Sequence, residues 1–200
     1  VLAPNLKYPC INHMTQCAQS NNIQVQIKCM QTFRSILNHS EASVAAGYIH
    51  ALAPRVVQYL HSESARSVGS DLELALTVEN LTVVESLVRL AEPQHRIQML
   101  SMLVPILVDY LLESPTTSYK HSLALHEHCL QVLKQIGPQY PQEFKTIMAQ
   151  STNMRTRLES AIRNSQSHKQ PLPTQRTASQ KSSNATPTIK LKTDFRNFAS

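Results

Sequence analysis

The sequence predicts an all-α protein made of antiparallel helix pairs stacked on one another, and three observations carry that prediction: composition, apolar spacing and an internal repeat. Only 3 glycines and no tryptophan accompany abundant Leu, Ala, Val and Gln in 200 residues, a balance poor in tight-turn formers and rich in helix formers. Apolar positions recur at helical spacing through most of the chain. Two successive helix pairs also align with each other at a spacing of about 50 residues.

Element by element, residues 1–20 contain Pro4 and Pro9 with only weak periodicity and read as a loop or linker. The first helix places Ile23, Ile27, Met30, Phe33 or Arg34, and Leu37 on one stripe and stops at Asn38-His39-Ser40. A second, over 41–60, turns Val44, Tyr48, Leu52, Val56 and Tyr59 inward; a third, over 71–91, does the same with Leu74, Val78, Leu81, Val84 and Val88. The fourth spans 93–112, with Pro93 in the first turn where a missing N–H is harmless. The fifth, 119–136, is expected to end at Gly137-Pro138. Shorter helices at 141–150 and 153–163 complete a body running from 21 to 164. Residues 165–200, dominated by Ser, Thr, Gln, Lys, Asn and Pro, hold too little apolar surface to offset the entropy of ordering and read as a disordered tail.

The repeat is the most informative pattern. Leu52-Ala53-Pro54-Arg55-Val56-Val57-Gln58-Tyr59-Leu60 aligns with Leu103-Val104-Pro105-Ile106-Leu107-Val108-Asp109-Tyr110-Leu111, so that Pro54 and Tyr59 correspond to Pro105 and Tyr110. The following helices align too, Leu74-Ala75-Leu76 with Leu123-Ala124-Leu125, and Leu81, Val83 and Val84 with Leu130, Val132 and Leu133. A mid-helix proline costs about 3 kcal/mol, so the same proline in both copies indicates a built-in bend. A hairpin that cannot bury its apolar face alone must stack on its neighbours. The pattern resembles HEAT repeats, whose first helix is commonly kinked at such a proline, and the prediction is a HEAT-like α-solenoid; the surplus over the usual period falls in the polar stretch 61–70.

The stretch from Gln131 through Ile136-Gly137-Pro138-Gln139-Tyr140-Pro141 to Lys145, followed by Arg157-Leu158-Glu159-Ser160-Ala161-Ile162, is similar to the C-terminus of the HEAT repeat-containing protein 5 family. The resemblance spans nearly the whole chain. It implies a segment of a very large cytoplasmic scaffold, peripheral on Golgi, endosomal and clathrin-coated vesicle membranes. Such a scaffold works with the clathrin adaptor alongside aftiphilin and gamma-synergin type partners, and this segment would stack on upstream repeats of the same chain.

Charge and motifs restrict the function further. The net charge of +6 is concentrated at one end: residues 1–164 hold 13 Lys and Arg against 12 Asp and Glu, and residues 165–200 hold six against one. A basic tail could attract phosphates, which makes a nucleic-acid-associated repeat protein the alternative reading, but its cations are dispersed and lack aromatic interleaving. No signal-type segment is visible, and the cysteines Cys10, Cys17, Cys29 and Cys129 follow no disulfide or metal spacing, which fits a reducing cytosolic compartment. His121, His126, His128 and Cys129 do not converge from one helix, so no metal or other cofactor is expected. Glycine-rich phosphate loops, H-E-x-x-H and nucleophile elbows are all missing from the sequence, and no enzyme activity is expected. Glu79 and Glu85 read as solvated helix faces.

Apolar residues reappear after the polar tail at Ile189, Leu191, Phe195 and Phe198, with the acidic Asp194 among them. Ile189 and Leu191 alternate as an added strand would, and Asp194-Phe195-x-x-Phe198 resembles the acidic-phenylalanine peptides read by adaptor ear domains. At the other end, the helix beginning at Ile23 is expected to expose an apolar face that a preceding repeat would cover, with self-association as the consequence.

Overall fold

The computed structural model describes residues 6–112 and 119–167, and all the regular structure among them is helical. In chain order the helices are α1 (Lys7–Ala18), α2 (Ile23–His39), α3 (Ala42–Leu60), α4 (Glu63–Arg66), α5 (Asp71–Leu90), α6 (Pro93–Leu112), α7 (Tyr119–Gln139), α8 (Pro141–Gln150) and α9 (Thr152–Ser167). They form the pairs α1–α2, α3–α5, α6–α7 and α8–α9, and each pair packs on the next. The short α4 lies within the polar stretch that lengthens the second pair.

A solenoid leaves a signature that a closed bundle does not, because residues one repeat apart in sequence become neighbours in space. Polar contacts between successive pairs follow that rule from end to end. Gln31 and Arg34 reach Glu79, Arg89 reaches Asn38, Tyr110 reaches Leu60, His121 reaches Asp71, Arg96 reaches Glu143 and Arg157 reaches Asp109, all at separations of 45 to 51 residues. The period read from the aligned helices therefore extends upstream to α2 and downstream to α8 and α9, where no sequence likeness announced it.

Local chemistry explains most helix ends. Asn22 caps α2 by accepting from the Gln24 amide at 3.0 Å, and Ser70 caps α5 by accepting from the Glu73 amide at 3.2 Å. Glu73 in turn accepts from the Gly69 amide at 2.8 Å, the reciprocal half of a capping box reaching one residue further back.

Several expectations need correction. Residues 7–18 form a helix instead of a loop: Pro9 sits in its first turn without cost, and Ile11, Met14, Cys17 and Ala18 pack on the core. A 12-residue helix of this composition is marginal alone, so contact with α2 and α3 holds it in place. The face of α2 expected to be bare is therefore covered by α1, and Cys29 donates its thiol to the Met14 carbonyl at 3.2 Å. Helix α7 does not stop at Gly137-Pro138. Gly137 has no left-handed φ, Pro138 removes only one amide from the last turn, and the Tyr140 amide still reaches the Ile136 carbonyl at 2.9 Å. Val44 is 37% exposed, and the buried stripe of α3 runs through Ala45, Tyr48, Leu52, Val56 and Leu60. Helix α9 runs to Ser167, past the expected end of the body at 164, and the expected disordered tail otherwise lies outside the described residues.

Helices α5 and α6 form the centre. Helix α5 touches α2, α3, α4, α6 and α7, so it buries Thr77, Asn80 and Ser86 as well as its apolar stripe. Asn80 and Ser86 satisfy their side chains on carbonyls four residues earlier. Helix α6 is long and apolar enough to cross a membrane by those criteria alone, but α5, α7, α8 and α9 surround it and bury Leu100, Leu103, Val104, Leu107 and Val108. That enclosure accounts for its composition.

Candidate protein-interaction surface

The repeat residues come first because they set the spacing of everything on the surface. Pro54 lies inside α3 and Pro105 inside α6, and neither interrupts its helix. Without an amide at either position, the carbonyls of His50 and Ser101 lose their intrahelical donor. Around the prolines the two copies bury matching positions: Leu52 with Leu103, Val56 with Leu107, and Leu60 with Leu111. In the second helices, Leu76 matches Leu125, Val83 matches Val132 and Val84 matches Leu133. The match fails at Leu123, which is 44% exposed where Leu74 is partly buried.

The two tyrosines occupy equivalent positions but hold different contacts. The half-buried Tyr59 hydroxyl lies 3.1 Å from Thr77 Oγ1, joining the two helices of its own pair. Tyr110 is buried and donates its hydroxyl to the Leu60 carbonyl at 2.7 Å, joining successive pairs. Leu60 ends α3, so its carbonyl is one of those left without an intrahelical amide.

Second helices of successive pairs run side by side, held along their edge by polar contacts. Arg34 pairs with Glu79 at 3.4 Å between α2 and α5. His121 contacts Asp71 at 2.9 Å, and His128 Nε2 lies 3.9 Å from Glu85 Oε1, both between α5 and α7. Glu79 and Glu85 are consequently not the solvated faces expected of them; their side chains are only 17% and 29% exposed. Burial pushes the Glu85 carboxyl above its ordinary range, with Arg89 opposing, and pushes the His128 imidazole below its own. Glu85 Oε1 and His128 Nε2 are both buried without a hydrogen bond among the described residues, and 3.9 Å is too long for one between them.

The C-terminal parts of α5 and α7 leave an opening between them. The opening is a cleft of about 130 Å³ with walls of Val88, Val132 and Ile136 and Leu103 of α6 between them. Glu85, Arg89, Gln135 and Gln139 bring polar groups to it, and Tyr140 closes the end. No sequence signal marked this cleft. Apolar residues lie open elsewhere at Leu72, Leu90, Met102 and Leu123.

Of the four His and Cys residues weighed as metal ligands, His121 faces Asp71, His128 faces Glu85 and Cys129 is fully buried. No cluster of three or more such groups able to hold a metal occurs among the described residues. Burial raises the Cys29 thiol to about 11 and the Cys129 thiol further still. Arg34, Arg89, Arg96 and Arg157 each engage an acidic or amide group of a neighbouring helix, so they do not line up as a basic face for a polyanion. Ile189, Leu191, Asp194, Phe195 and Phe198 lie outside the described residues.

A model of the family described as LAA1-like, C-terminal TPR repeats matches residues 9–174. That description names a helix-hairpin repeat usually about 34 residues long, shorter than the period found here. No solved structure matches the chain.

Proposed function

We propose, from the premise that this chain belongs to the family of LAA1-like, C-terminal TPR repeats, that its role is to hold partner proteins in clathrin-adaptor-dependent vesicle traffic. The coarser part follows from the architecture: a stacked helical-repeat domain is a protein-interaction scaffold, and membership of this family agrees with the resemblance to the HEAT repeat-containing protein 5 family. One observation carries the reading above the others. Contacts at one repeat's separation run from Gln31 to Arg157, which makes a continuous side-by-side surface of helices instead of a single enclosed pocket. A helical-repeat fold of this kind is typical of scaffolds without catalysis.

The traffic assignment comes from the resemblance, which brings the clathrin adaptor with aftiphilin and gamma-synergin type proteins as partners. With it goes a cytoplasmic location, peripheral on Golgi, endosomal and clathrin-coated vesicle membranes, as part of the same proposal. The terminal Asp194-Phe195-x-x-Phe198 supplies a ligand of the kind ear domains read. The test is a binding measurement between the full chain and a purified adaptor ear domain, with Phe195→Ala and Phe198→Ala together as the comparison. Loss of binding in the double variant supports the ligand role, and equal binding by both chains removes it. Affinity purification with and without the last twelve residues then reads the partners directly; recovery of no adaptor-associated protein by either chain would overturn the traffic assignment.

A further inference from the structure

Two of the four cysteines meet where α1 packs on α2. Cys29 of α2 donates its thiol to the Met14 carbonyl of α1 at 3.2 Å. Its sulfur thus lies against the backbone of α1 itself, the kind of close approach that a disulfide, with its Cα atoms within about 7 Å, requires. A helical side chain leans over the turn that precedes it, and Cys17, three residues after Met14, does so: its sulfur lies 3.6 Å from His13 Nε2, one turn back. The turn from His13 to Cys17 therefore carries one cysteine and receives the other. Their accessibility differs, Cys17 being partly exposed and Cys29 buried. Burial first, and Cys17 second, raises the Cys29 thiol to about 11, so the two sulfurs act on each other. Cys10, two turns before Cys17, acts instead on Tyr48 of α3, whose hydroxyl is raised by burial and then by Cys10.

We propose that Cys17 is a modification site for low-molecular-weight disulfides of the glutathione class, and that Cys29 resolves the adduct into a disulfide with Cys17 that straps α1 to α2. His13 Nε2, when unprotonated, accepts the Cys17 proton. The Cys17 thiolate attacks one sulfur of glutathione disulfide and forms a mixed disulfide, and the other sulfur leaves as a thiolate that takes up a proton. Cys29 then gives its proton to water and attacks the Cys17 sulfur, expelling the second glutathione thiolate. Two protein thiols are thereby oxidised to one disulfide, and one glutathione disulfide is reduced to two thiols. Modified Cys17 no longer carries a charge, which removes one of the two causes that hold Cys29 protonated. Placement against α1 makes the second step intramolecular, so Cys29 needs no solvent access to take part. The strap fixes α1, a helix marginal on its own, over the face of α2 that it covers, and thiol reductants release it. The inference stands independently of the traffic assignment.

Incubation of the folded 200-residue chain with glutathione disulfide, followed by alkylation, trypsin and mass spectrometry, tests it. Cleavage after Lys28 separates Cys29 from the peptide 8–28 that holds Cys10 and Cys17, so a link between peptides 8–28 and 29–34 reports the disulfide. The link is expected in wild type and in Cys10→Ser and is expected to be lost in Cys17→Ser. The Cys17 adduct should convert to it at least about tenfold faster than Cys29 of the untreated chain labels with excess iodoacetamide. In His13→Gln the first addition at Cys17 should slow severalfold; an unchanged rate overturns the role of His13. A link that persists in Cys17→Ser, or a Cys17 adduct that never converts, overturns the proposal. So does conversion no faster than Cys29 labelling, which would mean that the sulfurs meet only after unfolding, or a link found only between isotopically labelled and unlabelled chains.

Discussion

Replacing Tyr110 by Phe removes one hydroxyl from the junction between the second and third helix pairs and leaves the fold's apolar packing in place. Tyr110 is buried, and its hydroxyl donates to the Leu60 carbonyl at 2.7 Å. That carbonyl belongs to the last turn of α3 and has no amide of its own helix to turn to. Losing the donor therefore strands a buried acceptor, which costs about 1–3 kcal/mol. In a domain of this size each kcal/mol moves the midpoint by about 2–4 °C, so Tyr110→Phe should lower it by roughly 2–12 °C. The equivalent Tyr59→Phe is the internal control. Tyr59 is only half-buried, and its partner Thr77 can redirect its hydroxyl to a carbonyl one turn back, so the loss should stay near or below about 1 kcal/mol. Thermal and urea unfolding followed by circular dichroism at 222 nm reads both variants. If Tyr59→Phe costs as much as Tyr110→Phe, or if neither moves the midpoint, then the hydroxyl does not join the repeats.

Three further outcomes follow from other parts of the fold. In the native protein Cys10 and Cys17 should react with a thiol reagent, whereas Cys29 and Cys129, buried and held protonated, should label only at the rate of unfolding; rapid native labelling of four thiols would contradict the packing. The His128 imidazole is depressed below 6.5 by burial, so stability is full above that pH and declines as pH falls from 6.5 toward the folded pKa. His128→Gln should flatten this acid-side slope in urea titrations at several pH values, and an unchanged slope would refute burial of a neutral imidazole. A chain beginning at Ser20, which strips α1 from α2 and α3, should self-associate in light scattering at concentrations where the 200-residue chain stays smaller; equal mass for both would show that α1 covers nothing of consequence.

What could be read from residues alone was whatever depends on near neighbours in the chain. Helical spacing placed α2, α3, α5, α6, α8 and α9 within a few residues of their ends, because an apolar stripe and a cap are properties of one helix. The repeat was legible for the same reason, since Pro54 with Tyr59 and Pro105 with Tyr110 mark two copies of one hairpin and imply stacking. Tertiary structure decided the rest. Residues 7–18 show only weak periodicity; Ile11 and Met14 pack on the core where α1 meets α2 and α3, and no local signal could supply that. Thr77, Asn80 and Ser86 lie buried because α5 has neighbours on several sides, which a single-stripe reading cannot anticipate. The cleft at Glu85 and the different partners of Tyr59 and Tyr110 arise from how far apart two helices stand. That distance is set by side chains about 50 positions away, and a sequence read through near neighbours does not contain it.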